Sequence, residues 1–132
     1  MTVTLEISVG EFIDRITILR LKVRSLSGAD RAAARRQLAV ACALRAGTVT
    51  PSRELRALTR RLASVNRELW NVEEELRACE RAGHFSRRFV ALARSVYKAN
   101  DQRAALKRQI DLLVGESVGD RKSYPLPIVG RS

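Results

Sequence analysis

Arg103 is the residue of this chain best placed to do chemistry, because it interrupts a helical seam that is otherwise apolar. Steps of three and four residues put Asn100, Arg103 and Lys107 on one face of one helix. The same spacing aligns Asn66, Trp70 and Glu73 on a second helix and sets Glu11 one turn from Asp14 near the start of the chain. A guanidinium on a buried seam needs a carboxylate or a bound anion beside it, since an unpaired buried charge is strongly destabilising. Asp14 or Glu11 is the best internal partner, and Asp101 is expected to point outward.

Two readings follow. In one, Arg103 forms a buried ion pair that fixes which helices are neighbours, as polar seam residues do in coiled coils. In the other, Arg103, Lys107 and Arg94 line a cleft for an anionic ligand, Asn100, Asn66 and Tyr97 supply hydrogen bonds, and Glu11 and Asp14 complete the site. Trp70 is expected to pack beside Ala99. His84 falls in a turn and has no paired base or metal spacing, so a capping or surface role outweighs catalysis.

The elements that must position these groups follow from periodicity. Leu55, Leu58, Leu62, Val65, Leu69, Val72, Leu76 and Cys79 make one seam. Phe85, Phe89, Leu92, Val96, Ala99, Arg103, Leu106, Ile110 and Leu113 make another. If the chain turns near Ala82 to His84, facing positions have residue numbers that sum to 168, so the two seams zip as an antiparallel hairpin, with Leu69 opposite Ala99 and Cys79 opposite Phe89. Helices are predicted over about 9–26, 30–46, 51–81 and 87–114. Ser8, Asp30, Thr50 and Ser86 are their expected caps, and Gly47, Gly83 and Gly115 their expected stops. On helix 1 the expected apolar face is Val9, Phe12, Ile16, Leu19, Val23 and Leu26. On helix 2 the larger apolar residues are Leu38, Val40, Ala41 and Leu44.

The expected fold is all-α: a single elongated antiparallel helical bundle built on a coiled-coil-like hairpin. Residues 116–132 are expected to form an extended tail, because Tyr124-Pro125-Leu126-Pro127 cannot be helical. The alternation of Val3, Leu5 and Ile7 with polar residues reads as a short strand that could pair with that tail.

Composition limits the partners. The net charge is +11, yet the excess comes from arginine in an Ala- and Arg-rich chain, a bias typical of GC-rich coding. Charge alone therefore does not argue for nucleic acid, and no run of five basic residues occurs. The first half of helix 3 and the facing part of helix 4 are both basic, which gives that end of the hairpin a positive potential attractive to phosphate, carboxylate or an acidic surface. No stretch has the length of a membrane span and no secretory signal is visible, so the protein is expected to be cytoplasmic. Cys42 and Cys79 lack metal or redox spacing and are expected to be buried free thiols.

The strings Ser8-Val9-Gly10-Glu11-Phe12-Ile13-Asp14-Arg15-Ile16-Thr17-Ile18-Leu19, Val65-Asn66-x-x-Leu69-Trp70, Leu92-Ala93-Arg94-Ser95-Val96-Tyr97, Asn100-Asp101-x-Arg103-Ala104-x-Leu106-Lys107-Arg108 and Lys122-Ser123-Tyr124 resemble a small bacterial and phage family of unknown function. The resemblance spans most of the chain, with helix 2 least alike, and implies that these polar strings are the family's signature. It implies no activity.

The function expected is therefore a binding or assembly module, a homodimer holding an anionic ligand or acidic partner at the polar layer. An enzyme acting on a phosphorylated or carboxylated metabolite is the first alternative. Glu11-x-x-Asp14 looks like half of the paired carboxylate sets that hold Mg²⁺ in all-helical nucleotide pyrophosphohydrolases, but the second set is absent. Helical mutases of the chorismate type also grip dicarboxylates with Arg and Lys, without a specific match here. Nucleic-acid binding is the second alternative, and most aromatics fall on core positions rather than on a reading surface. No Gly-rich phosphate loop or nucleophile-base pair is present, and no cofactor is indicated.

Overall fold

The computed structural model describes residues 1–118 and contains four helices: α1 (Val9–Ser25), α2 (Gly28–Thr48), α3 (Arg53–Ala82) and α4 (Arg87–Val118). They form a helical bundle, with no strand among the described residues. Residues 1–8 are exposed and non-helical, so the expected strand at 3–7 does not form there. The tail beyond Val118 lies outside the described residues.

The hairpin of α3 and α4 is the most extensive helix pairing in the molecule, and its seams are buried as their periodicity predicts only away from the tip. Leu55, Leu62 and Leu69 are buried from α3, and Ala99, Leu106 and Ile110 from α4. Toward the tip, Val72, Leu76, Cys79, Phe89, Leu92 and Val96 are only half-buried, and Phe85 is exposed. The reason is length. At about 1.5 Å per residue α3 runs about 45 Å and α1 only about 26 Å, so the distal hairpin has no third helix to cover it. Phe85 and Phe89 meet there edge to face, with centroids 5.1 Å apart, and Arg88 pairs with Glu75 across the hairpin.

Helix α1 is the centre of the bundle. It touches α2, α3 and α4, whereas α2 touches α1 alone among the helices. The expected face of α1 is therefore only part of what is covered: of its six residues Ile16 is fully buried, while Val9, Phe12, Leu19, Val23 and Leu26 are half-buried. The deeper contacts come from Gly10, Ile13, Asp14, Thr17 and Leu21, because a helix with neighbours on several sides has no single apolar stripe. Ile13 joins Val49, Leu55, Leu62, Leu106 and Ile110 in the core. Helix α2 buries only Ala34, leaving Val40 and Leu44 exposed.

The ends depart from expectation by short distances. Ser8 caps α1 as expected, its Oγ accepting from Glu11 N at 3.1 Å. Helix α2 starts after Ser27 instead of Asp30, because Gly28 takes a positive φ of 59° that makes the turn. It also runs past Gly47 to Thr48. Ser52, not Thr50, caps α3: its Oγ accepts from Leu55 N at 3.0 Å, and Pro51 lies outside the helix. Gly83 closes α3 in the left-handed region as expected, at φ 69°. Helix α4 begins at Arg87, with Ser86 O accepting from Val90 N, but it passes through Gly115 to Val118. Ser52→Ala should cost about 1 kcal/mol, the usual value of a lost N-cap, read as a lower urea midpoint with unchanged slope.

Neither cysteine is fully buried. Cys42 and Cys79 are half-buried free thiols, the first accepting a long contact of 3.6 Å from Arg20 Nη2.

Candidate functional site

The polar layer lies where α1 crosses the α3/α4 hairpin. Asp14 reaches it from α1 and is 1% exposed. Arg103, from α4, grips the carboxylate with two parallel bonds, Nε to Oδ1 at 2.9 Å and Nη2 to Oδ2 at 2.6 Å. This side-on fork is the strong, geometrically fixed form of an Arg–carboxylate pair. The internal partner expected for Arg103 is thus the one it has.

Asn66 on α3 adds a third helix. Its Nδ2 donates to Asp14 Oδ1 and to Thr17 Oγ1, both at 2.8 Å. Thr17 Oγ1 in turn donates to Asp14 O at 2.7 Å. The direction of each bond is chemically forced. The Asp14 carboxylate can only accept, and the single Thr17 hydroxyl proton is already committed, so the amide must present its nitrogen to both. Thr17 is a site residue that sequence reasoning passed over, since a threonine on a helix carries no signal until its neighbours are known.

One turn toward the start of α1, Glu11 Oε1 meets Lys107 Nζ at 2.6 Å, and Arg15 Nε donates to Glu11 Oε2 at 3.2 Å. Lys107 also stands 3.9 Å from Asp14 Oδ2. The cations of α4 are therefore matched by the carboxylates of α1. This offsets, at the layer itself, the positive potential expected where basic segments of α3 and α4 adjoin.

The backbone is held equally closely. Gly10 N donates to Asp111 Oδ1 at 2.7 Å, and a Cβ at Gly10 would lie 2.3 Å from the carbonyl oxygen of Lys107. Only glycine lets α1 approach α4 this closely.

Titration reflects the network. Burial pushes the Asp14 carboxyl up, but hydrogen bonds from Arg103 and Asn66 and the charges of Arg103 and Lys107 outweigh it and hold the group below its ordinary 3.8. Glu11 is likewise lowered, chiefly by the hydrogen bond from Lys107 and against some desolvation. Arg103 is raised by its bond to Asp14 in spite of burial, and the charge of Glu73 contributes. A depressed folded value means that Asp14 adds stability in full above pH 3.8 and loses it as pH falls through the folded value. In a ¹³C carboxyl titration, Asp14 should still be ionised at pH 3.8, where an ordinary aspartate is half protonated.

On the outer side of the pair lies a cleft of about 200 Å³, lined by Ile18, Leu21, Asn66, Leu69, Trp70, Glu73, Asn100 and Arg103. The structure thus brings Asn66, Asn100 and Arg103 to one cleft, and Glu11, Asp14 and Lys107 to the ion-pair layer behind it. Arg94 and Tyr97 are not brought in: both are exposed on α4, Tyr97 at 73%. Trp70, expected only to pack, is half-buried and forms part of the cleft wall. Among the described residues no group of three His, Cys, Asp or Glu converges as a metal site, and no helix is long and apolar enough to cross a membrane.

The model of a "Family of unknown function (DUF6165)" matches residues 3–132, and the chain belongs to that family. No curated protein and no solved structure matches it.

Proposed function

We propose that this member of the family is a binding module, whose cleft beside Arg103 takes the anionic group of a small ligand or of an acidic side chain on a partner protein. The observation that carries this reading is the division of Arg103. A guanidinium has five N–H donors, and two of them go to Asp14. The side chain keeps 29% exposure and lines the cleft, so further donors are available there. Asp14 holds the group rigid and prepays the cost of orienting it, which is how a supporting residue improves a binding site. A cleft of about 200 Å³ is smaller than most cofactor pockets, which favours a compact ligand or a single inserted side chain over a nucleotide.

Val40 and Leu44, one turn apart and exposed on α2, support the assembly side of the proposal, a homodimer formed through that helix. Native mass spectrometry of protein purified through high salt tests both parts. The expected spectrum is a dimer with a small retained adduct, and Asn100→Leu, which removes a polar group from the cleft wall without touching the ion pair, should weaken retention of the adduct. A protein free of any adduct before and after incubation with a small-molecule cell extract would overturn the binding role.

A further inference from the structure

We infer that the cleft is built for a zwitterion, specifically a compact aliphatic α-amino acid whose carboxylate meets Arg103 and whose ammonium meets Glu73 and the Asn66 Oδ1. The inference rests on the proposed binding role of the cleft and adds the class of ligand.

Three features of the lining lead there. The first is Asn66, which is 4% exposed and spends its Nδ2 on Asp14 and Thr17. With the amide orientation forced, its Oδ1 is the end left for the cleft, and no hydrogen bond among the described residues engages it. A buried amide oxygen without a donor is costly, and a ligand N–H would satisfy it.

The second is Glu73. It lines the same cleft and is near enough to act on Arg103 by its charge, yet the ion pair of Arg103 among the described residues goes to Asp14. Opposite charges that share a cleft without closing on each other leave room for a group of each sign between them. A simple anion would satisfy Arg103 but would be repelled by Glu73 and would give the Asn66 Oδ1 nothing. A simple cation would fail at Arg103. A molecule with both groups satisfies all three.

The third is the remaining wall. Ile18, Leu21 and Leu69 with the Trp70 ring are apolar, which suits an alkyl side chain better than a ring of hydroxyls. Asn100 can both donate and accept beside the charged groups.

Trp70 is the only tryptophan of the chain and lines the cleft, so its fluorescence reports occupancy directly. The probes are L-leucine, N-acetyl-L-leucine, which keeps the carboxylate and loses the ammonium, and L-leucinamide, which does the reverse. The expected result is a saturable change with L-leucine and binding at least about tenfold weaker for each analogue, the loss of one charged hydrogen-bonded contact. Glu73→Gln should remove most of the advantage of L-leucine over N-acetyl-L-leucine, because it deletes the charge that selects the ammonium. Equal binding of N-acetyl-L-leucine and L-leucine would overturn the zwitterion and leave an anion site standing. Silence from all three probes would overturn the inference, with the retained-adduct measurement deciding the broader role separately.

Discussion

Arg103→Leu should destabilise the protein by about 3–5 kcal/mol, the usual consequence of removing one partner from a buried pair. The substitution itself is apolar and of suitable shape for the seam, so the loss does not come from Arg103. It comes from Asp14, left 1% exposed with its negative charge, with Asn66 as its remaining close donor and Lys107 at 3.9 Å. Urea unfolding measures the effect, and its pH dependence identifies the cause. Without Arg103, burial dominates and pushes the Asp14 carboxyl up, so the variant suffers most where the free carboxyl is ionised. Its deficit should begin to narrow above the ordinary value of 3.8, as pH falls through the raised value of the variant, and should narrow further below 3.8, where the parent loses the stability its own Asp14 supplies. A deficit unchanged down to acid pH would point to packing instead.

The second large effect is at Gly10. In a free helix, Gly→Ala stabilises by about 1 kcal/mol. Here the new Cβ would lie 2.3 Å from the Lys107 carbonyl and 2.9 Å from Asp111 Oδ1. The first obstacle is backbone and cannot rotate away, so α1 must retreat from α4. That movement strains the Gly10 N–Asp111 bond, the Glu11–Lys107 pair and the Asp14–Arg103 fork together. Gly10→Ala should therefore lower stability by about 3 kcal/mol, the upper end of the overpacking range, a reversal of the sign that helix propensity alone gives. Thermal and urea unfolding against the parent check both sign and size. A stabilised variant would contradict the close approach of α1 to α4 at Gly10.

How much of this was legible in the sequence depended on whether a residue acts along its own helix or between helices. The α3/α4 seams are a local periodic signal, and burial of Leu55, Leu62, Leu69, Ala99, Leu106 and Ile110 follows it. Arg103 stood out because it broke that signal, and electrostatics then demanded a carboxylate, which narrowed the choice to Asp14 or Glu11. Asn66 and Asn100 came from level and face alone. What was not legible required knowing that α1 is central. Ile13 and Thr17 fall outside a single apolar stripe, and Gly10 reads as part of a cap until α4 is seen against it. Arg94 and Tyr97 have side chains suited to an anion site, as a cation and a hydrogen-bonding hydroxyl, but the helix turns them to solvent. The cleft-facing role of Trp70 was hidden for a related reason, since a large aromatic beside a seam is more often core. The starts of α3 and α2 shift by only two or three residues, from Thr50 to Ser52, whose hydroxyl makes the cap, and from Asp30 to Ser27, which makes no side-chain cap.

The claim on which both site and function rest is that Asp14 and Arg103 form one buried unit tying α1 to the hairpin. A double-mutant cycle on urea unfolding measures it most directly, using Asp14→Leu, Arg103→Leu and the double variant. The expected coupling is about 3 kcal/mol, with the double variant more stable than the Arg103→Leu single variant, because no charge is left stranded. A coupling below about 0.5 kcal/mol, the value of an exposed surface pair, would contradict a buried unit and remove the rigid support on which the cleft depends.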